Sequence, residues 1–137
     1  MRCLGLDIGD RRIGVALSDP DGILASPLTV IERTEDSQAL AAIIEIINKQ
    51  DVGQVIVGLP RSLDGTLGGQ AEKVREFAQK LAGQIKVPLE YRDERLTTVM
   101  ARRLKRASGG KKTREKARYD AQAAALILQG YLDESQR

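Results

Sequence analysis

Two apolar blocks open the chain, Cys3-Leu4-Gly5-Leu6 and Ile13-Gly14-Val15-Ala16-Leu17, separated by the polar stretch that begins at Asp7 and ends at Arg12. Short apolar runs bounded by glycine and charge predict strands, here over Arg2 to Asp7 and Arg12 to Ser18, joined by a tight connection. Asp19-Pro20-Asp21-Gly22 is a strong turn signal, and a third strand is expected over roughly Ile23 to Glu32. From there the period changes. Thr34 can cap a helix running to about Gln50, with Leu40, Ile43, Ile44 and Ile47 on one face. The apolar centre of Gln54-Val55-Ile56-Val57-Gly58-Leu59 predicts a buried parallel strand, stopped by Pro60.

A Gly-rich stretch from Leu63 to Gly69 leads into a second helix with Ala71, Val74, Phe77, Ala78 and Leu81 at helical spacing. Val87 to Tyr91 reads as a fifth strand that runs out into Asp93-Glu94. A basic amphipathic helix is expected near Thr98 to Ala107, then a break at Ser108 to Lys112, then a last helix from about Thr113 or Arg114 to Leu132. The order βββ followed by α-β-α-β-α-α describes one α/β domain over residues 1–137, a meander continued by parallel strands in a mixed sheet flanked by helices.

Composition narrows the chemistry mainly by what is missing. The 137 residues are 42% hydrophobic and 30% charged, ordinary for a globular protein. The longest apolar runs, Ala39 to Ile44 and Ala123 to Leu128, fall far short of the roughly 20 residues of a membrane span. No secretory pattern opens the sequence, and the expected location is the cytoplasm. There is no histidine, which excludes Ser-His-Asp and Cys-His catalysis and any His-ligated metal. The single cysteine, Cys3, excludes a disulfide framework and a multi-cysteine zinc site, and its place in the first strand predicts burial. Catalysis would have to use carboxylates, Lys, Tyr, Ser/Thr or a metal held by oxygen, which suits Mg²⁺ or Mn²⁺.

The net charge of +3 conceals an asymmetry. Residues 102 to 118 hold nine Lys/Arg and the one acid Glu115. Subtracting that segment's +8 from the total leaves −5 on the remainder. A basic segment on an otherwise acidic chain suits contact with a phosphate backbone, and it equally suits a solvated helix face and loop.

The last helix carries the informative oddity. Ala117, Asp120, Ala124, Ile127 and Tyr131 share a face by their spacing, so a carboxylate stands in an apolar stripe. A buried carboxylate must be answered by charge. An Asp–Arg pair would do this, and a place at the stripe's edge would let Asp120 reach water instead. A third possibility comes from Asp7 and Asp93-Glu94, which end the first and fifth strands, since ligands gather at the carboxyl ends of parallel strands. If those strands lie near each other and the last helix crosses that edge, Asp7, Glu94 and Asp120 converge. Their mutual repulsion would then be reversed by a divalent metal pair, the apparatus of in-line phosphoryl displacement. The glycines flanking Asp7 would let a phosphate backbone approach closely.

LGLDIGDRRIGVALSD, VGLPRSLDG, DERLTT and YDAQAAALIL together resemble the YqgF family, also called RuvX, and the wider ribonuclease-H-like nuclease superfamily that includes RuvC. The four blocks span essentially the whole chain in family order. The resemblance implies a five-stranded mixed sheet with flanking helices. It also implies a nuclease maturing the 5′ end of pre-16S ribosomal RNA, with Holliday-junction resolution as the alternative. Carried onto this chain, the family's acidic site falls on Asp7, Glu94 and Asp120, with Asp93 a weaker fourth ligand or supporting partner, and with Mg²⁺ or Mn²⁺, two ions, as cofactor. Arg12 and Arg95 lie in the same blocks and could hold substrate phosphates, as could Arg102, Arg103, Lys105, Arg106, Lys111, Lys112 and Arg114 of the basic segment. Arg11-Arg12 stands where Lys-Arg is common, and Tyr119 where an aliphatic is usual.

Two other readings fit parts of the pattern. DIGDRRIGVA also resembles the first phosphate loop of the actin, hexokinase and Hsp70-type ATPases, but those need two such domains and this length supplies one. A non-catalytic RNA-binding factor of ribosome biogenesis would keep the basic segment and leave the acids idle. Aromatics are only 3% of residues, so nucleic acid would be met through backbone charge rather than base stacking. RNA is the favoured partner over branched DNA, with a second copy or a ribosome-associated protein as a further partner.

Overall fold

In the computed structural model the described residues are 1–60, 68–93 and 113–135, with side chains from 120 onward in the last stretch. Five strands, β1 (Arg2–Ile8), β2 (Arg12–Ser18), β3 (Ala25–Glu32), β4 (Val52–Leu59) and β5 (Leu89–Asp93), make one sheet in the order β3-β2-β1-β4-β5. Pairs β1–β2 and β2–β3 are antiparallel, whereas β1–β4 and β4–β5 are parallel. The expected mixed sheet is therefore present. β4 lies between β1 and β5, so the ends of those two strands stand two strand spacings apart, about 10 Å.

Helices α1 (Asp36–Lys49) and α2 (Gly69–Ala82) cover one face of the sheet, and α3 (Thr113–Ser135) covers the other. On α2 the buried residues are the five whose spacing predicted its inner face, Ala71, Val74, Phe77, Ala78 and Leu81. They pack with Leu4, Leu6, Ile8, Ile13, Val15, Val55, Val57 and the inner face of α1. The smaller core on the α3 side holds Cys3, Ala16, Ile56, Ala124, Ile127, Leu128 and Leu132. Burial pushes the Cys3 thiol pKa up, which keeps it protonated and unreactive. Among the described residues, no helix is long and apolar enough to cross a membrane.

Several boundaries differ from the sequence expectation, for local reasons. α1 starts after Glu35 rather than Thr34, whose hydroxyl instead lies 3.4 Å from Gln38 Oε1. β3 starts at Ala25 because Asp19 holds the preceding turn: its Oδ1 accepts from the Ile23 and Leu24 backbone N–H groups at 2.7 and 3.0 Å. β5 starts two residues late, after Pro88, and ends at Asp93. The expected helix near Thr98 to Ala107 lies outside the described residues.

Candidate active site

α3 can lie close to the sheet because glycines leave room beneath it. A β-carbon on Gly5 would come 2.7 Å from Leu128 Cβ and 3.1 Å from the Ala124 carbonyl oxygen. One on Gly14 would collide with the Asp120 carbonyl oxygen. Gly in a strand interior marks such an approach, and Gly14 is the site-shaping residue that the sequence reading did not single out. The reading of the glycines beside Asp7 is corrected as well. Gly5 is occupied by helix packing, and Gly9 tightens the hairpin, its N–H donating to the Arg12 carbonyl at 2.9 Å. Neither is kept open for a phosphate.

Gly14 pairs directly with Asp7 across β1 and β2. Opposite residues of an antiparallel pair project to the same face, and that face is the one covered by α3. Gly14 thus has Asp7 as its partner across the strands and the Asp120 backbone above it, at the carboxyl end of β1. Arg12, two residues before Gly14 on the same face, donates from Nε to Asp120 Oδ2 at 2.8 Å. The carboxylate in the apolar stripe is therefore answered by an arginine at the stripe's edge. The pair is half-buried, with side-chain exposures of 27% for Arg12 and 17% for Asp120.

The hairpin that carries Arg12 is held from the other face by Arg33. Its Nη1 donates to the Gly9 carbonyl at 2.9 Å, its backbone N–H to the Arg11 carbonyl at 2.8 Å, and its Nε to Asp36 Oδ1 at 2.9 Å. The guanidinium lies 4.8 Å from the centre of the Phe77 ring, tying the turn to α1 and α2. The hydrogen bond from Arg33 holds the Asp36 carboxyl below the usual carboxylate range.

At the far edge of the sheet, alternation along β5 turns its last two residues to opposite faces. Arg92 faces α3: it is buried at 8% exposure, its Nη1 lies 2.7 Å from Glu134 Oε2, and a β-carbon on Gly130 would come 2.5 Å from its Nη2. Asp93 pairs with Leu59 and starts from the opposite face, which Leu59 shares with Ile8 in the larger core. The face of Asp7 is therefore not the face of Asp93, which leaves Asp93 the weaker ligand candidate. Glu94, Arg95, Arg102, Arg103, Lys105, Arg106, Lys111 and Lys112 lie outside the described residues, as does the side chain of Arg114. Among the described residues, no three acids are grouped to hold a metal ion.

Carboxylates are the donor type that suits a hard divalent cation. Asp7 and Asp120 offer carboxylate oxygens, and Asp120 already engages a positive group. Arg33 and Arg92, which brace the two sides of this end of the sheet, were not anticipated; a lone arginine in a strand gives no sign of its partner. A cavity of about 580 Å³ lies elsewhere, lined by Met1, Arg2, Lys49, Asp51 and Gly53 at the amino ends of β1 and β4.

Comparison with known proteins gives the family and relatives of the fold. A relative from Moorella thermoacetica, named "Putative pre-16S rRNA nuclease", is 47% identical over 133 residues, 97% of this chain and 95% of that one. One of the same name from Thermoanaerobacter pseudethanolicus is 46% identical over 97% of this chain and 96% of its own. The fold is similar to Thermus thermophilus RuvC in complex with a Holliday junction substrate, with a TM-score of 0.62 and 17% identity over 99% and 96% of the two chains. It is also similar to the yeast mitochondrial Holliday junction resolvase Ydc2, with a TM-score of 0.57 and 13% identity over 95% and 77%. The family described as "RuvX: Holliday junction resolvase" matches residues 1–134, and the chain belongs to that family.

Proposed function

We propose that the carboxyl end of β1 is the active site of a nuclease that hydrolyses phosphodiester bonds in precursor 16S ribosomal RNA, a substrate that makes the cytoplasm its expected location. Asp7, Asp120 and Glu94 are the proposed acidic ligands of two Mg²⁺ or Mn²⁺ ions. The observation that supports the reading is that Gly14 pairs with Asp7 and lies directly beneath the Asp120 carbonyl of α3, at the carboxyl end of β1. The names of the full-length relatives support the choice of substrate.

The chain's own groups divide the work. Asp7 and Asp120 supply hard oxygen donors and fix where a phosphate must enter. Divalent cations held there would supply activated water and charge stabilisation at the leaving oxygen. Gly14 sets how closely α3 lies against β2. Arg33 holds the hairpin, and Arg12 with it, at the height of Asp120. The basic stretch from Arg102 to Arg114 is proposed to follow the phosphate backbone by charge, with affinity falling steeply as salt rises.

Resolution of four-way DNA junctions is the second reading, favoured by the family's description. The test offers the wild type and Asp7→Asn a structured ribosomal-RNA precursor fragment and a four-way DNA junction, with Mg²⁺, Mn²⁺ or chelator. Cation-dependent cutting of the RNA by the wild type alone is the expected result. Cutting of the junction alone would replace the first reading by the second. Equal RNA binding by both proteins with neither substrate cut would replace both by a binding role.

A further inference from the structure

Arg12 and Asp120 stand 108 positions apart and are joined by a single Nε–H···Oδ2 bond at 2.8 Å. The pair is neither a buried structural ion pair nor a free surface one. Both side chains keep contact with water, at 27% and 17% exposure, so the bond can exchange without unpacking either core. Arg12 is the first residue of β2, directly after the hairpin, and its long side chain pivots from the same end of the sheet at which Asp7 stands. Its guanidinium thus offsets the Asp120 carboxylate at the end of the sheet where Asp7 stands. A divalent cation bound by the same carboxylate would repel the guanidinium from it.

From this geometry we propose that Arg12 is the site's internal counter-cation, holding Asp120 while no divalent cation is bound and giving it up when one binds. The proposal rests on the reading of Asp7 and Asp120 as cation ligands and adds a switching role to a residue of that site. Arg12 then does two things in turn. It spares the empty site the repulsion of its acids, and, once displaced, it presents a free planar guanidinium to an incoming phosphate. By linkage, whatever Arg12 contributes to holding Asp120 must be overcome by the cation, so removing Arg12 tightens cation binding.

The test follows Arg12 directly in the intact chain. The Arg12 Nε–H resonance, assigned by its loss in Arg12→Lys, is monitored by NMR through a Mg²⁺ titration. Mn²⁺ affinity is measured by calorimetry for the wild type, Arg12→Met and Arg11→Met. Arg11 is exposed and adjacent, so Arg11→Met removes the same charge without touching the bond. The expected result is a resonance that leaves its hydrogen-bonded position along the Mg²⁺ saturation curve. Arg12→Met should also bind Mn²⁺ about fivefold more tightly than wild type, a gain well beyond that of Arg11→Met. A resonance that stays put while Mg²⁺ saturates the wild type would overturn the proposal, and so would equal gains in the two variants. Absence of any Mn²⁺ binding by the wild type would instead remove the cation site itself, and the proposal with it. Should Arg12→Met fail to fold, the wild-type resonance alone decides.

Discussion

The backbone carbonyl of Asp120 stands over Gly14 so closely that the strand tolerates no side chain there. The contact sets the height of α3 on the sheet and, through the pairing of Gly14 with Asp7, how closely the backbone carrying Asp120 approaches the end of β1. Gly14→Ala forces the helix to lift or tilt. It should cost about 2–3 kcal/mol of stability, the range for overpacking a close contact. Denaturant unfolding checks this, and a loss below about 0.5 kcal/mol would mean that the helix position is soft.

Arg12→Met should weaken binding of a short single-stranded RNA only when a divalent cation is present, because only then is the guanidinium released from Asp120. Fluorescence anisotropy with Ca²⁺, and again with chelator, separates the cases. Weakening by the same factor in both would show that Arg12 meets phosphate independently of Asp120.

The Arg92–Glu134 pair should respond unequally to loss of its two members. Arg92 is buried and its Nε has no hydrogen-bond partner among the described residues, whereas Glu134 is 51% exposed. Glu134→Ala leaves a buried charge with less to answer it and should cost about 1–3 kcal/mol. Arg92→Met removes the charge, gives up the guanidinium that lies against Gly130 but keeps an apolar stem in the buried position, and should cost less. Thermal unfolding of both variants gives the order directly.

Acid should act through Asp36. Its carboxyl titrates below the ordinary value of 3.8 in the folded chain because Arg33 donates to it. The sign follows: the unfolded chain takes up the proton first, so the contribution is complete above the unfolded value and fades as pH falls through the lower folded one. Asp36→Asn should therefore be less stable than wild type at neutral pH and approach it toward about pH 3. Denaturant midpoints at the two pH values provide the check, and a gap that does not narrow would contradict the assignment.

Much of the fold was legible in periodicity because burial is what periodicity records. β2 has the boundaries that its apolar block predicts, and α2 buries the five residues its spacing selects. Asp120 was conspicuous for the same reason, as a carboxylate in an apolar stripe. What the pattern could not supply was long-range pairing. β4 between β1 and β5, the ion pair of Arg12 with Asp120, and the closure of Arg33 onto Gly9 all join distant segments. Glycine was the most ambiguous letter. Gly5, Gly9 and Gly14 read alike in the sequence, yet one admits the side of a helix, one tightens a hairpin and one lies beneath the Asp120 carbonyl. The face of Asp93 turned on where β5 ends and on its pairing with Leu59, neither of which a two-residue acidic motif reveals.

Asp7 and Asp120 are proposed to form one anionic site for a divalent cation. Its most direct test is a calorimetric Mn²⁺ titration of the wild type and Asp7→Asn, with the melting temperature of each in chelator. The expected result is Mn²⁺ affinity at least about tenfold weaker in Asp7→Asn, with a metal-free melting temperature equal to or above that of the wild type, since one of two like charges proposed to share the site is gone. Unchanged Mn²⁺ affinity, together with a large drop in the metal-free melting temperature, would contradict it and make Asp7 part of a structural salt bridge.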